Sequence, residues 1–290
     1  MGIRFIFGRA GAGKSYYCLN QIKKKLNNDE NNKLIMLVPD QYTFQTEKKL
    51  IEYIGEKALL RAEVLSFKRM ATRVFDKCGG RAIDVIQDSG KNMLIYKLLK
   101  DKGEELQYFN RISKQQGFIG IVSKSITEFK KYNISEEILK EKEAQIGSKE
   151  LKEKINDLAS IYETFNENLH KGYIDSDDIL TILAKKLREC ELYKNAEIWI
   201  DEFTTFTPQQ LEVLKTLAKQ CKNVNITLCS DGEIGFTEGE TDIFDVIKNT
   251  ENRILKMMQE NNISYKEPVN LNKKDIYRFR NSKELGHIEK

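Results

Sequence analysis

Histidine, proline and long apolar runs are scarce in this sequence, and each scarcity narrows the range of possible functions. The chain has 290 residues but only two histidines, His170 and His287, so we expect no zinc site built on histidine ligands. Three prolines predict long helices and few rigid linkers. No apolar run approaches the ~20 residues that a bilayer-spanning helix needs, and the opening residues lead directly into a strand-like run. We therefore expect neither a transmembrane segment nor a signal peptide.

The cysteines indicate a cellular compartment, whereas the charge balance does not identify a binding partner. The five cysteines form no CxxC pair, so we expect reduced core thiols in a cytoplasmic protein; they are Cys18, Cys78, Cys190, Cys221 and Cys229. Lysine and arginine number 48 against 44 acidic residues, and the net charge of +4 is compatible with nucleic acid without arguing for it. Hydrophobic residues make up 40% of the chain, enough to bury the cores of about two domains.

Short apolar runs predict a parallel β-sheet covered by helices. Continuous apolar runs, rather than alternation, are typical of strands that are buried on both faces. The runs are Ile3–Phe7, Leu34–Val38, Glu63–Leu65, Ile198–Ile200 and Val224–Cys229. Between residues 83 and 195 the pattern is helical and rich in lysine and glutamate. We therefore predict an α/β domain formed by residues 1–82 and 196–290, interrupted by an all-helical subdomain over 83–195.

The last sixty residues give weaker signals. Apolar residues at helical spacing predict a helix around 244–258, and residues 276–279 predict a short extended piece. Asn281, Ser282 and Glu284 form the start of a capping box, which predicts a helix that begins close to the end of the chain. A lone helix that short is marginal in water, so we expect the chain to be a fragment of a longer protein.

One segment near the beginning has the pattern of a phosphate-binding loop. The pattern G-x-x-x-x-G-K-[ST] is filled by Gly8, Arg9, Ala10, Gly11, Ala12, Gly13, Lys14 and Ser15. Glycines let successive N–H groups point at phosphate oxygens, and the following helix presents its positive end to the same anion. Lys14 is expected to reach the β- and γ-phosphates and Ser15 to bind Mg²⁺. Chance occurrence in a chain this long is on the order of one per cent, and a structural glycine-rich turn is the alternative.

The second half of such a site is an acid at the end of a neighbouring strand. Asp201 and Glu202 follow the apolar run Ile198–Ile200 directly. We expect Asp201 to hold the metal and Glu202 to orient or deprotonate the attacking water. Thr207 as cap and Pro208 at the first helical position then predict a helix.

The spacing and several local motifs resemble the first half of superfamily 1 helicases. Nearly two hundred residues separate Lys14 from Asp201, with the helical block between them. Within that superfamily the chain resembles the B subunit of the bacterial AddAB helicase–nuclease over residues 3–290, in collinear order. The motifs that carry this resemblance are GRAGAGKS at 8–15, VPDQYTFQTEK at 38–48, LSFKRMA at 65–71, IDEFTTFTPQQ at 200–210 and RFRNSKELGHIEK at 278–290.

The resemblance implies a RecA-like P-loop NTPase fold that binds ATP and Mg²⁺ and acts on DNA together with an AddA-type subunit. It also implies a role in double-strand break processing and recombinational repair, with the family's nuclease and iron–sulfur cluster outside this chain. The resemblance also implies that the segment with Gln41, Thr43 and Phe44 contacts DNA. There an aromatic ring could stack on a base. A buried loop against the sheet is the alternative for that segment.

Two functions remain open at this point. Working helicases of the superfamily sense the γ-phosphate with a glutamine after the fifth strand, and residues 228–234 contain none. This departure favours a nucleotide-binding module that is not itself a motor over an active helicase or another P-loop NTPase. Two further features have structural explanations: the run from Asp175 to Asp178 is expected to cap a helix rather than bind calcium, and basic pairs such as Lys130-Lys131 are expected on solvated helix faces.

Overall fold

The structure is a computed structural model that describes residues 2–27, 32–55, 61–79, 84–169, 172–232, 243–272, 277–279 and 281–289. Contacts divide the chain into two compact units. The sheet unit comprises Met1–Cys78, Ala184–Phe206 and Gln210–Lys290, and the helical unit comprises Gly79–Leu183 and Thr207–Gln209. No helix in the described ranges is both long and apolar enough to cross a membrane.

The described residues form strands and helices that alternate along most of the chain. The strands are β1 (Ile3–Phe7), β2 (Leu34–Leu37), β3 (Ala62–Leu65), β4 (Asp84–Ile86), β5 (Tyr173–Asp175), β6 (Glu197–Ile200), β7 (Asn223–Leu228) and β8 (Tyr265–Asn270). The helices are α1 (Lys14–Leu26), α2 (Thr43–Ile54), α3 (Phe67–Cys78), α4 (Asp88–Lys102), α5 (Gln116–Lys131), α6 (Glu136–Ala144), α7 (Lys149–Leu169), α8 (Ile179–Glu189), α9 (Pro208–Gln220), α10 (Asp245–Glu260) and α11 (Lys283–Glu289).

The sheet unit is built on a six-stranded sheet in the order β3-β2-β6-β7-β1-β8, and the pairings between these strands are parallel. The prediction of an α/β protein with a parallel sheet is therefore confirmed. Every residue of β2 and β6 is buried, as expected for central strands that are covered by helices on both faces. Each of the five apolar runs corresponds to one of these strands.

The sixth strand of the sheet, β8, was not predicted because its sequence is polar. It reads Tyr-Lys-Glu-Pro-Val-Asn and lies at the edge of the sheet, where β1 is its neighbour among the described strands. Pro268 lacks a backbone N–H and is tolerated in a sheet only at such an edge or at a bulge. The pairing is indeed irregular there, since the register shifts between Arg4 and Ile6 of β1.

Most of the predicted helix boundaries agree with the structure, and one extended piece does not. Helix α9 begins at Pro208, and α10 covers the periodic residues of the last sixty. Residues 277–279 form a short 3-10 helix instead of the predicted extended segment, and residue 276 lies outside the described ranges. Helix α11 follows Ser282, whose Oγ accepts a hydrogen bond from the Leu285 N–H at 3.5 Å.

The expectation that all five cysteines are free thiols was wrong for two of them. Cys78 and Cys190 form a disulfide with their Cα atoms 6.1 Å apart and 112 residues between them in sequence. Such a pair leaves no motif, because the end of α3 and the segment after α8 meet only through the fold. Cys18, Cys221 and Cys229 are free, and the first two are buried.

The helical unit packs α4, α5, α6 and α7 around an apolar core that includes Ile95, Val122, Ala159 and Phe165. It is not purely helical, because β4 and β5 pair in parallel as a second, two-stranded sheet. These strands have three residues each, and β4 is largely exposed. Strands of three residues are too short to carry a periodic signal, which is why the sequence predicted helices only.

A buried ionic cluster connects several elements of the helical unit. The ammonium group of Lys91, on α4, lies 3.2 Å from Asp175 Oδ2, and that of Lys130, on α5, lies 2.9 Å from the same oxygen. Both contacts are ion pairs without hydrogen-bonding geometry. The three side chains are 1%, 3% and 0% exposed, so the charges are almost completely removed from water.

Hydrogen bonds complete this cluster. Lys91 donates to Asp177 Oδ2 at 2.6 Å and to Thr127 Oγ1 at 2.9 Å, and Lys130 donates to Asp178 Oδ2 at 2.6 Å. Asp175 accepts from the Asp177 N–H, which confirms the predicted helix cap at the start of this run. The expectation that Lys130 lies on a solvated helix face was wrong, because a lysine and its acidic partners can be distant in sequence.

The cluster predicts a large stability loss when one cation is removed. Lys91→Met keeps most of the side-chain volume but leaves the buried carboxylate of Asp175 and the partly buried carboxylate of Asp177 short of a positive charge. We expect the free energy of unfolding to fall by about 3–5 kcal/mol, measured by chemical denaturation of the chain.

The control is Lys140→Met, because Lys140 pairs with Glu163 at 2.8 Å where both side chains are about half exposed. It should leave the denaturation midpoint nearly unchanged. A second substitution, Asp177→Asn, should recover part of the loss in the Lys91→Met background. Equal midpoints for Lys91→Met and Lys140→Met would contradict the role of the cluster.

Candidate functional site

The candidate site lies where three parallel strands end side by side. In the sheet β1 is adjacent to β7, and β7 is adjacent to β6. Phe7 pairs with Leu228, and Ile200 pairs with Ile226, so the residues that follow these strands start at nearly the same level. The parallel sheet thus brings together the glycine-rich loop, the acid pair and the loop after β7, as is usual for binding sites in open α/β sheets.

The glycine-rich loop adopts a conformation that requires glycine at two positions. Gly11 has φ +77° and Gly13 has φ +92°, both in the left-handed region that other residues rarely adopt. Gly13 is the N-cap of α1, which begins at Lys14. The loop therefore presents backbone N–H groups and the positive end of a helix dipole to one place, and this arrangement suits an anion.

A second constraint on Gly11 comes from Arg278. A Cβ atom at Gly11 would lie 2.6 Å from the Arg278 Cβ and 2.8 Å from its Cδ. The aliphatic part of Arg278 thus packs directly on the loop, from the short 3-10 helix at residues 277–279. No local pattern indicates this contact, because 267 positions separate the two residues (278 minus 11).

Lys14 lies folded back on its own loop. Its ammonium group donates hydrogen bonds to the Gly8 carbonyl at 2.7 Å and to the Arg9 carbonyl at 3.1 Å. Two of its three N–H donors are therefore engaged by the loop itself. This position places a positive charge beside the N–H groups that the loop presents.

The acid pair consists of one buried and one exposed carboxylate. Asp201 is 2% exposed, and its Oδ1 accepts a hydrogen bond from Thr227 Oγ1 at 2.5 Å. Its Oδ2 is buried and has no hydrogen-bond partner in the described part of the chain. Ser15 Oγ donates to Glu202 Oε1 at 3.4 Å. Ser15 and Glu202 are thus in contact, with Lys14 one residue before Ser15 and Asp201 one residue before Glu202; their roles at a nucleotide site stay a prediction.

The backbone of Glu202 and the thiol of Cys18 both depart from the usual behaviour of their residue types. Glu202 has φ 66°, a left-handed conformation that is uncommon for a residue with a side chain and that occurs often at functional sites. Cys18, on α1, is completely buried, and burial raises the pKa of its thiol well above the usual value, with a further increase from the charge of Asp201 and a decrease from Lys14. The thiol is therefore a neutral filler beneath the charged groups.

The three predicted DNA contacts do not share one environment. They lie after β2, where Asp40–Tyr42 form a short 3-10 helix that leads into α2. Phe44 is 76% exposed and Gln41 is also exposed, whereas Thr43 is buried and its Oγ1 donates to the Asp40 carbonyl at 2.9 Å. Phe44 and Gln41 are thus available to a ligand, and the Thr43 hydroxyl is already used within the loop.

Sequence reasoning missed Asn272, which follows β8. Its Oδ1 accepts a hydrogen bond from the Arg9 N–H at 2.7 Å, and its Nδ2 donates to the Ser230 carbonyl at 2.9 Å. It therefore connects the glycine-rich loop to the loop after β7. An asparagine in a polar segment has no distinguishing pattern, so only the fold reveals this contact.

Comparison with known proteins identifies relatives across the whole chain. A family model described as ADDB, N-terminal, matches residues 5–289. A protein of Clostridium perfringens is 51% identical over 290 residues, which cover 100% of this chain and 25% of that protein. Proteins of Clostridium tetani and Clostridium botulinum are each 48% identical and also cover 100% of this chain, with 26% and 25% of their own lengths matched.

All three relatives are named as the B subunit of an ATP-dependent helicase/deoxyribonuclease. The chain spans about a quarter of the length of each of them. The similarity therefore concerns one region of proteins that are about four times as long.

Helix α10 contains a buried glutamate. Glu251, on α10, is 2% exposed, and its Oε1 has no hydrogen-bond partner among the described residues. Burial raises its pKa from 4.5 to about 7; Lys248 opposes the shift and Asp231 adds to it. Between these two pH values the native protein keeps a proton that the unfolded chain has released. The contribution of Glu251 to the free energy of unfolding is therefore fully present below about pH 4.5. It is lost as the pH rises through about 7.

Glu251→Gln should remove this pH dependence because glutamine does not ionise. At pH 8 we expect the variant to exceed the wild type in free energy of unfolding by about 2–3 kcal/mol, and the difference should shrink towards pH 5. Denaturation curves recorded across this range test it, with Glu260→Gln, an exposed change on the same helix, as the control. A difference between Glu251→Gln and wild type that is the same at pH 5 and pH 8 would contradict the assignment.

Proposed function

The chain belongs to the family of AddB amino-terminal regions, and on this premise we propose that it is the nucleotide-binding, helicase-like module of the B subunit of an ATP-dependent helicase/nuclease. The observation that carries the proposal is that a phosphate-type loop and a buried carboxylate, Asp201, follow strands of one parallel sheet, and that one oxygen of this carboxylate has no partner among the described residues. The names of the relatives support a role in DNA repair, which we place in double-strand break processing and recombination.

The residues of the site fit ATP and Mg²⁺. The N–H groups of Ala10, Gly11 and Gly13 and the ammonium group of Lys14 would hold the phosphates, while the Gly8 and Arg9 N–H groups remain bonded to the Leu228 carbonyl and to Asn272. Ser15 Oγ and Asp201 would hold the cation, since Oδ2 of Asp201 is a hard, negatively charged ligand in a dry position. A bound Mg²⁺ would neutralise charge on the β- and γ-phosphates. Glu202, which contacts Ser15, would orient or deprotonate a water molecule.

We infer a RecA-like fold for the sheet unit. The order of the strands, the loop after β1 and the acids after β6 support this inference, because β1 and β6 flank β7 in the sheet and their carboxyl ends would hold the phosphates and the cation at the same edge. The helical unit would correspond to the subdomain that interrupts the first RecA-like domain in helicases of superfamily 1.

We propose that the module binds ATP with negligible turnover. The loop after β7 has no glutamine to sense the γ-phosphate, and in these helicases a second RecA-like domain supplies the arginines for hydrolysis. An arginine of that kind is worth about 10³–10⁵ in rate. An active helicase or another P-loop NTPase is the second candidate, because Glu202 is present and in contact with Ser15.

The proposal includes DNA and a partner subunit. The exposed Phe44 would stack on a base of single-stranded DNA, and Gln41 would contact the backbone. The relatives are named as subunits, and we propose an AddA-type helicase/nuclease subunit as the partner in a cytoplasmic heterodimer.

Lys14→Ala tests nucleotide binding. It removes a charge-assisted contact to phosphate that is worth about 1.5–3 kcal/mol, so the affinity for Mg·ATP should fall about ten- to a hundredfold. Calorimetry on purified protein measures the affinity. The control is Lys24→Ala, which makes the same change in charge at an exposed position of the same helix. Equal affinities for the two variants would refute the assignment of the loop.

The same preparations distinguish the two candidate functions. We expect ATP turnover close to background with and without single-stranded DNA. Turnover at helicase-like rates that disappears in Glu202→Gln would show that the chain is a self-sufficient enzyme, and the proposal of an inactive module would then be wrong.

Phe44→Ala tests the DNA contact. Loss of one stacked base costs about 1–3 kcal/mol, so the affinity for a labelled single-stranded oligonucleotide should fall about tenfold at low salt. Tyr132→Ala, which removes another exposed aromatic ring, is the control. Fluorescence anisotropy that detects equal affinity in the two variants would remove Phe44 from the proposed interface.

A further inference from the structure

Asn272 holds two loops of the candidate site with one half-buried side chain. It accepts from the Arg9 N–H at 2.7 Å and donates to the Ser230 carbonyl at 2.9 Å. Its own N–H donates to Asn270 Oδ1 at 2.8 Å, which fixes the start of the segment after β8. A side-chain amide has one acceptor and two donors, so Asn272 can make both contacts at once.

Both polar backbone groups of Arg9 are hydrogen bonded to side chains. Its N–H is bound by Asn272, while its carbonyl accepts from Lys14 at 3.1 Å. Lys14 also donates to the Gly8 carbonyl, so two of its three donors are in use. An ammonium group that contacts both the β- and γ-phosphates must therefore withdraw from at least one loop carbonyl. Asn272 is then the side chain that continues to hold this end of the loop.

The other contact of Asn272 leads to the acid pair. Ser230 is completely buried and lies two residues after the end of β7. Thr227, the penultimate residue of β7, donates to Asp201. The glycine-rich loop and the proposed cation ligand are thus connected through Asn272 and the end of β7 by backbone and side-chain hydrogen bonds.

We propose that Asn272 is a positioning residue of the nucleotide site, which keeps the glycine-rich loop in its binding conformation when Lys14 turns from the loop carbonyls to phosphate. This inference rests on the proposed function of the site. Asn272 does not touch the nucleotide in this role; it acts through the Arg9 peptide and the loop after β7.

Asn272→Ala tests the proposal against a matched control. Asn261→Ala is the control, because Asn261 also makes two side-chain hydrogen bonds, to Lys219 at 3.0 Å and to the Met257 carbonyl at 2.9 Å, at the end of α10. Calorimetry should give an affinity for Mg·ATP about five- to tenfold weaker in Asn272→Ala than in wild type, and unchanged in Asn261→Ala. In thermal unfolding without nucleotide, both variants should have midpoints below that of wild type by a similar amount.

Hydrogen exchange supplies a readout that a general loss of stability does not change. In the presence of saturating Mg·ATP, peptides that cover residues 5–13 should exchange faster in Asn272→Ala than in wild type and Asn261→Ala. Wild-type affinity and wild-type exchange in Asn272→Ala would overturn the positioning role while leaving the proposed function intact. Equal weakening in both variants would also overturn it. Failure of the wild type to bind Mg·ATP would overturn the proposed function, and the positioning role with it.

Discussion

Parallel pairing of β1, β7 and β6 is the constraint on which the rest of the sheet unit depends. Parallel strands need crossover connections, so the chain must cover the sheet with helices between successive strands. The same pairing gathers every carboxyl end at one edge. The glycine-rich loop and a pair of acids that are far apart in sequence therefore lie at the same edge of the sheet.

The two ends of β6 show how a buried carboxylate can serve structure or be left for a ligand. Glu197, at the first position, is 1% exposed and is satisfied by Lys25 at 2.8 Å and by Asn223 at 3.1 Å. Asp201, just past the last position, is equally buried but keeps one oxygen without a partner from the described residues. Burying an unsatisfied carboxylate costs free energy, so its persistence is easier to explain at a binding site than in a core.

The elements that could be predicted from the sequence are those that depend on residues close together along the chain. Apolar strands, the glycine-rich loop and the start of α9 at Pro208 all depend on neighbouring residues, and their positions were predicted closely. The disulfide of Cys78, the ion pairs of Lys91 and the contacts of Asn272 depend on side chains that meet only after folding. No pattern along the chain distinguishes these residues from others of their type. The contacts of Asn272 that support the candidate site could therefore not be predicted.

The polar edge strand β8 has a consequence for association between molecules. A strand at the rim of a sheet offers a row of backbone groups on which a second chain can assemble. Lys266 and Glu267 carry charges there, Pro268 removes one donor, and the register is broken at the same place. These are features that natural sheets use against aggregation. The residues that make β8 hard to recognise as a strand are thus the ones that oppose the pairing of a second chain with this edge.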